Sequence, residues 1–317
     1  MTNDHTTADR RTSAAAKLTL PVVLLLFGLS NNAAGMGPKP ITARHRVLFN
    51  NLTAIQWNPL GIQTQAKLGY RYRLFDSDSI LFKNAFFGVG ALALINPAFA
   101  RLGADVEFEP IAVLKLRVAY EQRLYFGTAR MLQSFQSPYD EYDEDTIKAR
   151  SKADLNYITQ GTQLTLQAEL KAKAGPIVLL NQTRMIYFDL GLKNNDKVFY
   201  VNLLDTVTPD EGWVLVNDGH LFYQTNFGLM VGLRHTLVNP FYRDLLDQRG
   251  NPNGPNHRLG PMAVYTFKTN SETFQNPTLI FMLNWWINNR YRNGQKINSA
   301  IPYGVLAFVF FGDLWTK

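Results

Sequence analysis

Apolar and polar residues alternate along several long segments of this chain. Within Ile62–Leu74 the even-numbered positions are mainly apolar, whereas the odd-numbered positions are Gln, Lys, Gly or Arg. The same period of two recurs in Ala100–Glu109, Leu114–Leu124, Thr162–Lys173 and Leu279–Arg292. A period of two indicates β-strands with one apolar and one polar face. These segments reach or exceed the roughly 9–11 residues that a tilted strand needs to cross a bilayer, whereas soluble strands usually have about 3–10 residues.

Two architectures fit this alternation. A large soluble sandwich or a lipocalin-like barrel would alternate too, but the length and the repetition of the segments favour a membrane barrel. We therefore predict an all-β fold, a closed antiparallel up-and-down transmembrane β-barrel of about 12 strands. Ten strands is the fallback. The first window is the weakest, because it alternates poorly, but dropping it alone would give eleven strands and place the chain ends on opposite sides. The predicted strands cover 44–54, 62–74, 80–95, 98–109, 111–126, 157–172, 176–192, 213–225, 227–238, 258–268, 277–291 and 300–313.

The connections between these windows support the even count. Three long ones, 127–156, 193–212 and 239–257, follow the fifth, seventh and ninth strands and therefore lie on one side. Tight turns at Ala174-Gly175-Pro176 and Asn226 lie on the other side, and Glu109-Pro110 is predicted to form a further one there. Bacterial barrels place short turns in the periplasm and long loops outside. With twelve strands both chain termini are predicted to be periplasmic.

The N-terminal residues have the pattern of an export signal. Leu18–Leu29 is apolar except for Thr19, basic residues precede it, and Asn32-Ala33-Ala34 supplies small residues before a cut. This pattern predicts a cleaved Sec signal peptide over 1–34. A membrane anchor is the alternative, but spanning a bilayer takes about 20 apolar residues. Residues 35–43 are then predicted to be a periplasmic leader, and 44–317 a single barrel domain.

Composition excludes several other classes of protein. The chain has no cysteine, so disulfides, thiolate metal sites and a lipoprotein anchor are excluded. The mean hydropathy of −0.14 excludes a polytopic helical membrane protein. The formal charge of +7 is not concentrated in a run of Lys and Arg, so no nucleic-acid partner is predicted. We find no zinc spacing or phosphate-binding glycine loop, and no cofactor is predicted.

The last predicted strand carries a further pattern. In the segment AIPYGVLAFVFFGDL, residues Tyr303, Val305, Ala307, Val309 and Phe311 share one face. With the signal and the alternation, this aromatic strand makes 44–313 resemble the bacterial outer-membrane β-barrel class. The chain ends in GDLWTK instead of a terminal aromatic residue, which departs from that pattern. The resemblance implies a diderm outer membrane, with barrel assembly machinery, outer-membrane lipid and lipopolysaccharide as partners.

Charged residues on the polar faces are predicted to line the lumen, because an Arg or Lys facing lipid at the midplane costs about 2–4 kcal/mol. Basic residues outnumber acidic ones in this set. The set consists of Lys67, Arg71, Arg73, Arg101, Asp105, Glu107, Lys115, Arg117, Glu121, Arg123, Glu169, Lys171, Arg234, Arg290 and Arg292.

Aromatic residues are predicted to anchor the barrel at the two membrane interfaces. These are Tyr70, Tyr72, Tyr120, Trp285, Tyr291 and Tyr303. Trp286 falls on the inward face by the alternation and is predicted to pack in the lumen. A separate acidic cluster in the longest loop offers oxygen ligands for a cation, although a solvated charge run is the ordinary interpretation. The cluster consists of Asp140, Glu141, Asp143, Glu144 and Asp145.

Three functions remain open. The basic excess favours a narrow channel for small anionic solutes, with Arg71, Arg73 and Arg117 tuning the preference. Charges that pair across the lumen would instead plug a structural or surface-binding barrel. A lipid-modifying hydrolase needs a histidine beside a serine, and none of His45, His220, His235 and His257 has such a neighbour in sequence. Asn217-Asp218-Gly219, beside His220, is predicted to be a turn.

Overall fold

A computed structural model describes residues 43–293 and 298–317. The predicted signal peptide 1–34 and residues 35–42 of the predicted leader lie outside the described residues. Fifteen strands and one α-helix, α1 (Glu144–Lys152), are formed in the described part. A 3₁₀ turn covers Arg243–Leu245. The strands are β1 (His45–Trp57), β2 (Gly61–Arg73), β3 (Phe86–Ile95), β4 (Phe99–Ile111), β5 (Leu114–Phe126), β6 (Ser134–Phe135), β7 (Ile158–Ala174), β8 (Ile177–Leu190), β9 (Val198–Val201), β10 (Thr206–Pro209), β11 (Gly212–Gln224), β12 (Leu229–Phe241), β13 (Asn256–Thr266), β14 (Gln275–Asn288) and β15 (Tyr303–Thr316).

Twelve of these strands close into an antiparallel barrel. Around the wall the order is β1-β2-β3-β4-β5-β7-β8-β11-β12-β13-β14-β15, and β15 pairs again with β1 from Val47 opposite Trp315 to Trp57 opposite Gly304. Every strand of the wall therefore has a hydrogen-bonded partner on both sides. The backbone amides of His45 and Lys317 also bond each other's carbonyl oxygens, at 2.8 and 2.9 Å. The twelve-stranded closed barrel is confirmed, and the two described chain ends lie at the same end of it. We call this the terminal end.

The alternation seen in the sequence sorts side chains between the two faces of the wall. In β4, Leu102, Val106 and Phe108 point outward and are exposed, whereas Asp105 and Glu107 point inward and are buried. A polar residue can be buried only where it finds partners, so these inward charges require a lumen that supplies them.

Most strand boundaries differ from the predicted windows by one to three residues, and two places differ for a clear structural reason. β3 begins at Phe86 instead of 80, because 80–83 form turns and the Leu81 carbonyl accepts a hydrogen bond from the Ala112 amide at 2.8 Å. Glu109-Pro110 is not a turn. Pro110 lies in β4, where the pairing with β5 is irregular between Phe108 and Ile111, so its missing N–H interrupts no regular ladder. The turn is formed instead by residues 112–113.

The long connections fold over the end of the barrel opposite the terminal end. We call residues 127–157, 191–211, 242–255 and 289–293 together the cap. The cap contains the small sheet β6-β9-β10 and helix α1. The Asp143 side chain begins α1 by accepting a hydrogen bond from the Thr146 amide at 2.8 Å. Among the described residues no helix is long and apolar enough to cross a membrane.

A hydrophobic core joins the cap to the wall. All four residues of β9 are buried, and the Phe199 ring meets the ring of Phe188, an inward residue of β8, edge-on at 5.3 Å between centroids. Val214 and Val216 of β11 extend the same cluster down the inner wall. The cap is therefore packed into the mouth of the barrel, and hydrophobic burial holds it there.

Replacing Phe199 with Ala is expected to loosen the cap without opening the barrel. Truncation of a fully buried Phe costs about 3–5 kcal/mol. Limited trypsin digestion should then cut within 127–157 and 191–211 faster, while the wall should remain folded in detergent at room temperature. Leu155→Ala, at a cap residue with 47% exposure, is the control and should digest like the unmodified protein. Equal digestion of the Phe199 variant and the control would contradict this packing.

Candidate functional site

The lumen is the candidate site, because charged side chains from four strands of one half of the wall converge there. Asp105 of β4 forms ion pairs with Lys67 of β2 at 2.7 Å and with Arg117 of β5 at 2.5 Å. Glu107 pairs with Lys67, Arg71 and Lys115, at 3.0, 3.1 and 3.2 Å. The predicted lumenal residues thus include a compact alternating network of acids and bases.

The network continues along β4, β5 and β7. Lys171 reaches both Glu109 and Glu169, each at 3.3 Å, and Arg101 reaches Glu121 at 3.2 Å. Such buried pairs are strongly disrupted when one partner is removed, since the other charge is left without compensation.

A glycine makes room for the centre of this network. A Cβ atom added at Gly90 of β3 would lie 2.7 Å from both an Asp105 oxygen and the Lys67 side chain. A larger residue there would displace the pair. We infer that Gly90 is required by the close approach of the two charged side chains.

A second charged cluster lies on the opposite half of the wall. Asp218 of β11 accepts hydrogen bonds from Arg184 at 2.5 Å, from Arg234 at 2.7 Å and from Thr236 at 2.7 Å. The prediction of a turn at Asn217-Asp218-Gly219 was wrong, because these residues lie in the interior of β11 with both neighbouring strands paired to them. Arg184 was missed by the sequence analysis, because its segment is apolar on both faces in places.

An apolar cluster lies on the same half of the wall. Phe222, Met230, Met262, Val264 and Met282 form a buried cluster with Val178 and Tyr303. The lumen therefore has a charged side, built mainly on β2, β4, β5 and β7, and an apolar side, formed by this cluster mainly on β11–β15, beside the Asp218 cluster and Arg258.

A cavity of about 380 Å³ lies between the two sides beneath the cap. Val201, Leu203 and Leu204 of the cap form its roof. Among the described residues that line it, six are arginines and one is a carboxylate, Glu121. The arginines are Arg101, Arg117, Arg123, Arg184, Arg234 and Arg258. The lining is thus basic, although Asp105 and Asp218 beside it pair with Arg117, Arg184 and Arg234.

Two further cavities adjoin this one. A cavity of about 290 Å³ shares Gln56, Gln63 and Leu203 with the lumenal cavity. A third, of about 460 Å³, shares Met131 and Asn202 with the second. The three form a series from the outer surface of the cap, past the β1–β2 connection, into the lumen.

The cap is locked by a buried ion pair at the start of this series. Arg292 donates to both carboxylate oxygens of Asp205, at 2.7 and 2.8 Å, and Tyr200 donates to the same carboxylate at 2.8 Å. Burial by itself would lower the pKa of Arg292, but the Asp205 carboxylate raises it above its ordinary value. The Arg292 guanidinium therefore stays charged at physiological pH.

Arg290 and Arg292 were predicted to line the lumen, but they belong to the cap. β14 ends at Asn288, so the alternation cannot be extended to them. Arg290 donates to backbone oxygens of Pro138, Tyr139 and Asp140. Arg73 lies at the terminal end, where it donates to the carbonyl oxygens of Lys83 and Ser77 in the β2–β3 connection.

The predicted interface aromatics fall into two groups. Tyr70, Tyr72, Tyr120 and Trp285 lie on the outer face of the wall. Tyr291 and Tyr303 are buried, at 6% exposure each, and their prediction as interface residues was wrong.

Each misplaced tyrosine has its own cause. Tyr291 lies beyond the end of β14 and donates to Glu141 in the cap at 2.7 Å. Tyr303 points into the lumen and donates to Gln56 at 3.2 Å. Trp286 also points inward, with its ring 6.4 Å from that of Tyr303.

The predicted acidic cluster in the cap is divided among separate contacts. Asp140 accepts a hydrogen bond from the Ser137 amide, Glu141 binds Tyr291, and Asp143 begins α1. Glu144 lies 3.9 Å from Arg292, and Asp145 lies in the first turn of α1. In the described part of the chain no group of three or more His, Asp and Glu side chains is arranged to hold a metal ion.

The histidines are likewise engaged elsewhere. His45 contacts the Tyr70 hydroxyl at 2.7 Å, His235 contacts His257 at 3.1 Å, and the His220 ring stacks on Phe222. These contacts provide no support for a serine hydrolase centre.

No family model matches this chain. No curated protein matches it either. Among solved structures, the "CymD monoaromatic hydrocarbon channel" has 8% identity and a TM-score of 0.38, with 86% of this chain and 89% of that chain covered. The translocator domain of the autotransporter NalP from Neisseria meningitidis has 11% identity and a TM-score of 0.37, with 84% and 87% covered. Salmonella typhi OmpF in complex with daunomycin has 10% identity and a TM-score of 0.35, with 86% and 98% covered. Likenesses this low carry no inference about function.

Asp210, in the cap, titrates within an accessible pH range. Burial raises the pKa of its carboxyl group to about 6, although the backbone amides of Leu190 and Glu211 donate to it and act in the opposite direction. The distance to the Leu190 nitrogen is 2.7 Å. A carboxyl whose pKa is higher in the folded protein than its ordinary value, about 3.9, stabilises the fold in its protonated form.

The cap is therefore expected to lose stability as the pH rises from about 4 through about 6. Hydrogen exchange of cap amides, corrected for the intrinsic pH dependence of exchange, should show less protection at pH 7 than at pH 4.5. Asp210→Asn should reduce that difference, because the amide does not titrate. An undiminished pH dependence in Asp210→Asn would assign the effect to other groups.

Proposed function

We propose that this chain is an outer-membrane barrel that conducts small anionic solutes through a narrow lumen, and that the cap closes this lumen in the conformation described here. The cap faces outward, and both termini lie in the periplasm. The observation that carries the proposal is the series of three adjoining cavities that leads from the cap surface to an arginine-lined lumen.

The outer face of the wall supports the membrane location. Leu102, Val118, Leu166 and Leu233 lie on this face and are 39–67% exposed, although their neighbours in sequence are buried or half-buried. A soluble protein rarely exposes so large a continuous apolar surface. Aromatic residues occur towards both rims of this surface, as interface girdles require. Those near the cap are Trp57, Tyr187, Trp213 and Trp285, and those near the terminal end are Tyr70, Tyr72, Tyr223, Tyr265 and Trp315.

The electrostatics of the lumen support the anion preference. The lining of the central cavity has six arginines against one carboxylate among the described residues. A low-dielectric passage with this lining raises the local concentration of anions and repels cations.

The ion pairs of Asp105 and Glu107 favour a second candidate function, a non-conducting barrel that is plugged by paired charges. In that case the cap would present a surface to lipopolysaccharide or to another partner. A rim hydrolase is the third candidate, and the contacts of the histidines give it no support.

Membrane placement is tested by adding one charge to the outer face. Val118→Arg, near the middle of β5, should destabilise the barrel in lipid vesicles by about 2–4 kcal/mol, because arginine would then face hydrocarbon. Leu155→Arg is the matched control, since both positions have 47% exposure but Leu155 lies in the cap. Unfolding by urea in vesicles measures both variants. Equal, small effects would mean that the outer face of β5 does not contact hydrocarbon.

Conduction is tested by weakening the buried ion pair that joins two segments of the cap, 191–211 and 289–293. Asp205→Asn removes the charge that Arg292 and Tyr200 share, and each hydrogen bond to a charged group contributes about 1.5–3 kcal/mol. Because 1.4 kcal/mol corresponds to a factor of ten, the open fraction in planar bilayers should rise at least tenfold. Asp247→Asn, at an exposed cap carboxylate paired with Arg249, is the control. Silence of correctly folded Asp205→Asn protein would favour the plugged barrel.

Arg258→Gln tests the anion preference in the same experiment. Arg258 has no carboxylate partner among the described residues, so its replacement disturbs no ion pair, whereas replacement of Arg71 or Arg117 would remove one of the bases that pair with Glu107 or Asp105. The reversal potential of the Asp205→Asn channel in a KCl gradient should move towards that of a nonselective pore. An unchanged potential would show that the lumenal arginines do not set the selectivity.

A further inference from the structure

Two arginines of the lumenal cavity stand apart from the rest. Arg101, Arg117, Arg184 and Arg234 each pair with a carboxylate. Arg123 of β5 and Arg258 of β13 pair with none among the described residues, although their side chains are almost completely buried, with residue exposures of 2% and 5%. A buried guanidinium without a counter-charge is unfavourable, so a partner that compensates its charge is expected.

Of the two arginines, Arg258 has more donor atoms without a partner. Its Nε and Nη1 atoms are buried and have no hydrogen-bond partner, and its guanidinium lies over the Tyr303 ring at 4.0 Å and near the Trp286 ring at 5.1 Å. The aromatic rings orient the group, but they do not neutralise it.

The carboxylates that act on Arg258 are already engaged. Asp218 binds Arg184, Arg234 and Thr236, and Asp205 binds Arg292 in the cap. Arg258 therefore faces the cavity with donors that no acid of the described chain takes up.

Arg123 repeats this arrangement on the charged side. Its Nη1 donates to the Tyr125 hydroxyl at 3.2 Å, its Nε has no partner, and its guanidinium lies 4.4 Å from the centre of the Phe99 ring. Glu121, the one carboxylate in the lining of the cavity, pairs with Arg101.

The remaining lining is apolar, with Ile186, Val216, Met262, Ile280 and Val305 next to the arginines. The volume of about 380 Å³ falls in the range of small-molecule pockets, about 300–1,000 Å³. A ligand that satisfies both parts of this lining has one anionic group and a compact apolar body.

We propose that the cavity is a binding site for small amphipathic carboxylates, whose carboxylate is held by Arg258 and whose apolar body packs against the Met262 side of the lumen. A carboxylate offers two acceptor oxygens to the planar donor fork of a guanidinium. This inference rests on the proposed function, since it names the class of solute that the channel would carry. It concerns equilibrium binding, however, and can be tested without an open channel.

Calorimetry on the full chain in detergent micelles tests the proposal with three probes. Hexanoate has both the anionic group and the apolar body, 1-hexanol lacks the charge, and acetate lacks the body. Hexanoate should bind one site per chain, at least tenfold more tightly than either of the other probes. Equal binding of hexanol, equal binding of acetate, or no binding of hexanoate would each overturn the proposal.

Substitutions in the cavity test which residues bind hexanoate. Arg258→Gln should weaken hexanoate binding about tenfold or more, as expected for the loss of a charge-assisted hydrogen bond, and Arg258→Lys should restore part of it. Met262→Trp should block binding by filling the apolar side while keeping both arginines. Arg249→Gln, at an exposed cap residue, is the control and should bind like the unmodified protein. Unchanged affinity in folded Arg258→Gln and Met262→Trp proteins would place the ligand elsewhere and overturn the assignment.

The two proposals fail separately. Conductance by the Asp205→Asn variant without hexanoate binding would leave the channel in place and remove this ligand class. Hexanoate binding without conductance would leave the site in place within a closed barrel.

Discussion

Closure of the backbone hydrogen-bond network is the constraint on which the rest of this structure depends. Because β15 returns to β1 along almost its whole length, none of the twelve wall strands has a free edge. A strand that is paired on both sides can present its side chains only inward or outward. The outer face is largely apolar, so most charged residues of the wall strands lie in a lumen of limited volume. Asp189, near the cap end of β8, is an exposed exception. The dense pairing around Asp105, Glu107 and Asp218 follows from that confinement.

Because the charged residues are confined to a closed lumen, an arginine there without a carboxylate partner requires an explanation. In a water-filled pore an unpaired arginine would be solvated and would need no explanation. Here the cap and the apolar side of the wall enclose the cavity, and Arg258 is 5% exposed. Other inward bases in this lumen do have acidic partners, as the ion pairs of Asp105, Glu107 and Asp218 show. The lack of a described acid at Arg123 and Arg258 is therefore more consistent with a site for an external anion than with a deficiency of packing.

Much of the fold could be predicted from the sequence, because a period of two is a direct consequence of pleating. Even the first strand, whose pattern RHRVLFNNLTA alternates poorly, forms β1 and closes the barrel. The prediction failed where alternation carries no information. In β15 both faces are apolar, so the pattern could not show which face is outward. Pairing with β14, where Tyr303 lies opposite the inward Asn284, turns Tyr303 into the lumen.

The structure of the cap could not be predicted from sequence alternation either. β9 is buried on both faces, so its four residues have no period, and the position of Arg292 depends on a contact with Asp205, which is 87 residues away in the chain. Sequence alternation can place a residue inside a barrel, but it cannot show which inward charges meet. The same composition of inward arginines and carboxylates would serve a sealed, fully paired plug or a selective passage. The difference lies in which arginines remain without an acid, and that is fixed by register and by the fold of the cap.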